Sequence, residues 1–375
     1  ETKKKGSGTT DLTVGRPLTR ILQFALPLVL GTLFQQLYSF VDTIIVGRCI
    51  GTDALGAVGT TYSLNFMIVG FVLATCNGFG IPVAESFGAK DRDDLHKYLF
   101  NGAVLCVGMS LVFAVGTTLV AAPLLQLIHT PAELLENAVH YIRIIFLGIP
   151  ATVLYNYSST VLRSLGDSKH PFYFLLVSSF LNIALDVLFI VPLGMGVEGA
   201  AYATGIAYTI TTGVLCLHFF TPEAKCRFTR AIGAWKEVGQ ACWNGVSELI
   251  NETSIGLVIL FINWILLARI GSYGVAAFTI INYAAWFGAS VSYAISDSLS
   301  PLVSANFGAR NFARARQFLG LALGMVFGIG LMLYGLFALY PEMLLKIFLP
   351  GEEKVVAVTL EFIDWFKLAF LFSGL

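Results

Sequence analysis

Asp42, Asn182, Asp186 and Thr204 carry side-chain oxygens inside otherwise apolar sequence. Asp42 follows Phe40-Val41, and Asn182 and Asp186 are spaced i,i+4, so a helix places both on one face. An ionisable group among lipid-like neighbours is costly unless water, a partner or a bound ion compensates it. Two carboxylates, an amide and a hydroxyl are suitable ligands for a hard cation. Brought close together, the two carboxylates must share a proton or a cation. Reversible cation binding is the chemistry these residue types point to. The competing reading is that Asn182 and Asp186 only hydrogen-bond neighbouring helices.

The elements that must position them are apolar helices. Of 375 residues, 56% are hydrophobic and 12% charged, against roughly 25% charged in soluble domains. Lys plus Arg and Asp plus Glu total 23 each, so no net charge points to nucleic acid. Six cysteines show no zinc or disulfide spacing. Together these numbers exclude a soluble enzyme, a disordered chain and a secreted disulfide module. About 20 apolar residues cross a bilayer as a helix. Ten stretches qualify: 20–46, 54–83, 98–122, 138–162, 171–192, 199–220, 241–268, 276–303, 318–339 and 355–375. Pro27 is expected to bend the first. At about 1.5 Å per residue, Asp42, Asp186 and Thr204 fall roughly 6–9 Å below one membrane boundary, with Asn182 one turn deeper.

Cations orient the spans. Seventeen Lys and Arg fall on the side of the N-terminal arm, among them Lys3, Arg16, Lys90, Arg163, Lys225 and Arg310, against four on the other. The positive-inside rule then puts the N-terminus in the cytoplasm. A single offset lays Phe87-Gly88-Ala89-Lys90 on Phe307-Gly308-Ala309-Arg310, and Ile50-Gly51 on Ile270-Gly271. Several matches at one offset indicate a duplication. Each copy holds six spans, an even number, so both copies enter the membrane alike, as parallel repeats do. The expected fold is an all-α polytopic membrane protein of two pseudo-symmetric six-helix bundles, the second stopping after its fourth helix. The repeat thus implies two more helices, about 65 residues, after Leu375. The expected organisation is a cytoplasmic arm (1–19), an N-lobe (20–220), an inter-lobe loop (221–240) and a partial C-lobe (241–375).

The other polar residues are weaker candidates. Glu248 and Glu252 share a face of span seven, Asp297 lies late in span eight, and Glu361 and Asp364 lie in span ten. His96, His129 and His170 fall in loops, and His140 and His218 at span ends. They are expected to form no metal or triad constellation, so catalysis is not expected.

Four motifs, in this order and spacing, resemble the multidrug and toxic compound extrusion (MATE) family of bacterial efflux transporters. They are Val41-Asp42-Thr43-Ile44-Ile45-Val46-Gly47, Phe87-Gly88-Ala89-Lys90-Asp91, Arg163-Ser164-Leu165-Gly166-Asp167 and Asn182-Ile183-Ala184-Leu185-Asp186. The resemblance implies a secondary antiporter in the bacterial cell membrane, with no cofactor beyond its coupling ion, Na+ or H+. It implies export of amphipathic or cationic drugs and toxic metabolites by a monomer among membrane lipids. It also implies a cation site at Asp42, Asn182, Asp186 and Thr204, supported by the Tyr38 hydroxyl. Gln35, Asn156 and Ser179 resemble residues that line the drug cleft. Another branch uses a Glu on the seventh helix with an Asp on the tenth, for which Glu252 and Asp364 are stand-ins. Asp297 stands where that pattern has a neutral amide. The alternative function is a lipid-linked oligosaccharide flippase of the same superfamily, though such proteins carry a more cationic cavity than Arg143 and Lys367 supply.

Overall fold

The computed structural model describes residues 11–128, 130–219 and 272–340, with separate positions between 239–270 and 359–368. Among these residues there are helices and no strands. The long helices are α1 (Pro17–Cys49), α2 (Thr52–Ala89), α3 (Arg92–Leu127), α4 (Ala132–Leu147) and α5 (Ile149–Ser164). They continue with α6 (Lys169–Ile190), α7 (Gly196–His218), α8 (Ser272–Gly308) and α9 (Phe312–Leu339). Five of them, α1, α3, α6, α7 and α9, are long and apolar enough to cross a membrane. Most of the seventh and tenth expected spans lies outside the described residues.

The fourth expected span differs. It is two helices, α4 and α5, bent by 43° where Gly148 separates them. Pro150 in the first turn of α5 explains the break, because it has no N–H and suits a helix start rather than an interior. Two other prolines lie inside continuous helices: α1 runs on through Pro27, and α8 through Pro301.

Sequence chemistry sets the other boundaries. Pro17 opens α1. Lys90 (φ 60°) and Arg310 (φ 58°) end α2 and α8 in the left-handed conformation, and the repeat offset carries one onto the other. The turns match bond for bond: Asp91 N donates to Ser86 O (3.0 Å), and Asn311 N donates to Asn306 O (2.8 Å). Each following residue caps the next helix. Asp91 Oδ1 accepts from the backbone N–H groups of Asp93 and Asp94, both at 3.1 Å, and Asn311 Oδ1 accepts from that of Arg314. Asp91→Ala is expected to lower stability by about 1 kcal/mol, the usual worth of such a cap. Thermal unfolding of the purified protein checks this, and unchanged transport is the accompanying expectation.

Packing follows from small residues. Hydrocarbon tails are as apolar as Leu, so helices in lipid gain from close fit rather than from leaving water. Gly199, Ala200, Ala203 and Ala207 are buried on α7, which packs against α6. The outer faces remain apolar: Val112 is 72% exposed and Leu119 73%, as lipid-facing positions should be. One core joins Phe79, Leu99, Ile142, Phe146, Tyr157 and Leu215 of α2, α3, α4, α5 and α7. A second joins Ile21 and Phe24 of α1 to Leu302 of α8 and Phe318 of α9. The chain before α1 belongs to that second core, since Leu12 is buried and its carbonyl accepts from Asn306 Nδ2 at 3.1 Å.

Among the described residues, the closest backbone approach at a glycine is between α2 and α8. A Cβ placed on Gly88 would lie 1.9 Å from the carbonyl oxygen of Ala305, and one on Gly308 would lie 2.0 Å from that of Glu85. Glycine is the side chain that fits at either point. The two contacts are reciprocal under the repeat offset, which carries Gly88 to Gly308 and Glu85 to Ala305.

Candidate cation site

Three helices bring the acidic residues together. Tyr38 and Asp42 sit one turn apart on α1, Asn182 and Asp186 on α6, and Thr204 and Tyr208 on α7. Because α6 packs against both α1 and α7, these i,i+4 pairs converge on one level. A side-chain hydrogen bond joins Asp42 to Asp186. Such a bond needs one proton between the two carboxyls, since neighbouring carboxylates do not both stay charged out of water.

Asn182 ties α6 to α7. With its amide nitrogen turned toward Asp186 it donates to Oδ2 at 3.1 Å, and its oxygen accepts from Thr204 N at 3.2 Å. Thr204 Oγ1 also lies 3.1 Å from the Ala200 carbonyl, the position a helical threonine hydroxyl takes when it bonds back along its own helix. Asp186 is completely buried and Asn182 is 3% exposed, whereas Asp42 is half-buried. Apart from the contact between the two carboxyls, the buried Oδ1 atoms of Asp42 and Asp186 have no hydrogen-bond partner among the described residues. Buried carboxylate oxygens normally have partners, so two unsatisfied ones in contacting side chains fit a proton or a small cation.

The set reaches beyond the residues singled out by sequence. The Tyr38 hydroxyl is hydrogen-bonded to Tyr208 and to Gln35. Tyr38, Ser178, Ser179, Asn182, Thr204 and Tyr208 line a cavity of about 10 Å³, room for roughly one water-sized occupant. Tyr141 of α4 interacts electrostatically with both carboxyls. Tyr208 is legible as the residue one turn beyond Thr204 on the same face; nothing in the sequence marks Tyr141.

The remaining candidates scatter. Gln35 is exposed. Asn156 on α5 is half-buried and donates to Thr152 O at 2.8 Å. Ser179 is buried and donates to Leu175 O at 2.9 Å, facing the small cavity. Asp297 of α8 interacts electrostatically with Arg163 of α5, whose Nη2 donates to Thr160 Oγ1 at 2.9 Å. Asp364 is 74% exposed and accepts from Lys367 Nζ at 2.7 Å. Asp364 is thus paired with a cation, and Asp297 has one in its neighbourhood. Glu252 and Glu248 lie outside the described residues.

The histidines correct one expectation. His140 pairs with Glu198 at 2.6 Å, but His170 and His218 meet Asp167 in a single cluster at the ends of α6 and α7. Sequence distance conceals it, since all of α6 and α7 separates His170 from His218.

Long apolar helices wrapped around a buried carboxyl pair define a multi-pass helical membrane protein. The chain belongs to the MatE family, whose sequence model matches residues 27–188 and 249–375. It is similar to the probable multidrug resistance protein YoeA of Bacillus subtilis (strain 168), 28% identical over 345 residues, covering 88% of this chain and 73% of that one. It is 24% identical over 356 residues to a protein of Shewanella oneidensis named FAD transporter, covering 92% and 76%. Among solved structures, a multidrug resistance MATE family transporter of the MOP superfamily in an outward-facing conformation superposes with a TM-score of 0.89. It is 22% identical, over 99% of this chain and 83% of that one, and establishes the shared fold.

Proposed function

We propose that this protein is a secondary antiporter that exports amphipathic or cationic small molecules in exchange for Na+ or H+. The observation that carries this reading is the Asp42–Asp186 carboxyl pair, with its two unpartnered oxygens and the Asn182–Thr204 bridge. A cation bound between the carboxyls replaces the shared proton and draws α1 toward α6. Its release lets the two helices part. Substrate and cation are coupled because each prefers a different arrangement of the same helices.

The rest of the assignment follows the same reading. Tyr38 and Tyr208 hold the neighbouring void in shape, and Gln35, Asn156 and Ser179 belong to the substrate path. The N-terminus is cytoplasmic, the chain acts as a monomer in the cell membrane, and residues 20–220 form one lobe while residues 241–375 belong to a second. The matched turns at Lys90 and Arg310 and the reciprocal Gly88 and Gly308 contacts support a parallel repeat. Asp297 serves as counter-charge to Arg163 rather than as a coupling-ion ligand.

The test is export in proteoliposomes with Na+ and pH gradients imposed separately, using ethidium as substrate. An inward gradient of one cation is expected to drive ethidium out, and collapsing that gradient to stop it. Export indifferent to both gradients overturns the antiport reading. The relative named FAD transporter makes FAD the second substrate to assay.

A further inference from the structure

A second polar cluster lies at the opposite end of the same three helices. Asp167 sits in the turn between α5 and α6, where Gly166 takes φ 88° and Asp167 N donates to Leu162 O at 2.9 Å. Asp167 is 2% exposed. Its Oδ1 accepts from the backbone N–H groups of Lys169 and His170, both at 3.1 Å, which fixes the carboxylate at the start of α6. Oδ2 is hydrogen-bonded to His170 Nδ1. The His170 ring faces that of His218, the last residue of α7, with centroids 5.1 Å apart and planes tilted by 30°.

One carboxylate oxygen and one nitrogen from each ring lie within 4.8 Å of one another. Zinc bonds of about 2.0–2.2 Å in tetrahedral geometry hold their donors roughly 3.3–3.5 Å apart, so small rotations of the two imidazoles close the set. The donors are two nitrogens and one oxygen. That chemistry suits a borderline transition metal, and it is too poor in oxygen for Mg2+ or Ca2+. Among the described residues, His140 and Glu198 form a histidine–carboxylate pair outside any such cluster, and so provide an internal comparison.

We propose that Asp167, His170 and His218 bind a divalent transition-metal ion of the zinc class, which clamps the start of α6 to the end of α7. Ser168, next to Asp167, donates through Oγ to Gln23 O of α1 at 3.3 Å, so the clamp bears on α1 as well. These are the helices that carry Asp42, Asn182, Asp186 and Thr204. An ion here holds their far ends together while the carboxyl pair opens and closes.

The experiment uses the purified full chain in detergent, with any affinity tag removed. Titration with Co2+ is expected to give visible absorption bands at one equivalent, erased by Zn2+ but not by Mg2+. Zn2+ is also expected to raise the unfolding temperature, since it binds the folded state. His170→Gln and His218→Gln should each lose the bands, Asp167→Asn should weaken binding about tenfold or more, and His140→Gln should leave it unchanged. Wild-type protein that gives no bands and no thermal shift at millimolar metal overturns the proposal. So does unchanged binding in both His170→Gln and His218→Gln, which would put the metal at other ligands and leave these rings stacked beside a structural Asp–His pair.

Discussion

Asp186→Asn is expected to reduce ethidium efflux to the background of cells lacking the transporter, while the protein still folds. Asparagine has the shape of aspartate and keeps an oxygen to accept from Asn182, now 3.1 Å from Oδ2. Its amide can also donate to Asp42, so the hydrogen bond between α1 and α6 survives in form. What disappears is the exchangeable charge. With one carboxyl left, the site no longer alternates between a shared proton and a bound cation, and the link between ion and substrate movement is cut. Coupling between ligands is commonly worth about 5- to 150-fold, so a loss on the order of 10- to 100-fold in gradient-driven export is expected. The unfolding temperature should stay within a few degrees, because no buried group loses its partner.

Asp42→Asn should behave the same way, and the double substitution should cost little more than either alone, as for residues that act as one unit. Asp364→Asn is the contrasting variant. Its carboxylate is 74% exposed beside Lys367, and exposed ion pairs contribute about 0–1 kcal/mol. Its export is expected to match wild type. Normal efflux from Asp186→Asn and Asp42→Asn would remove the carboxyl pair from the mechanism.

The carboxyl site is legible in the sequence because two simple rules converge on it. Helical spacing puts Asn182 and Asp186 on one face, and the rise per residue puts Asp42 and Thr204 at nearly their depth. Neither rule reports direction around a helix. That is why the sequence does not show that Ser179 shares a small cavity with Tyr38 and Asn182, and why no pattern points to Tyr141. The bend between α4 and α5 hides for a different reason. Apolar composition continues unbroken across Gly148-Ile149-Pro150, and hydropathy does not register a missing N–H. The histidine cluster escapes because depth arithmetic works only within apolar runs, whereas Asp167, His170 and His218 lie at their ends. Asp297 looks isolated in the sequence; its neighbour Arg163 comes from another helix, far earlier in the chain.

Gly88→Ala and Gly308→Ala are expected to be among the most destabilising single-methyl additions in the molecule, and equally so. At Gly88 the added carbon would lie 1.9, 2.6 and 2.8 Å from the carbonyl oxygen, carbonyl carbon and Cα of Ala305. At Gly308 the matching distances to Glu85 are 2.0, 2.7 and 2.9 Å. The obstructing atoms are backbone, so no rotamer change relieves the clash, and α2 and α8 must move apart. Overpacking typically costs about 1–3 kcal/mol, and more where the backbone itself must shift. The upper end of that range is expected for each variant, read as a fall of several degrees in unfolding temperature. Gly108→Ala and Gly324→Ala are the controls, since nothing among the described residues lies within 4 Å of a Cβ at either. Helix propensity alone should then make them neutral, or more stable by up to about 1 kcal/mol. The double variant Gly88→Ala/Gly308→Ala discriminates further. If the two glycines form one reciprocal crossing, a single separation of α2 from α8 relieves both clashes, and the double loss falls well short of the sum. Full additivity, or a large loss at one glycine and none at the other, would show two unrelated contacts and remove the main structural support for the parallel repeat.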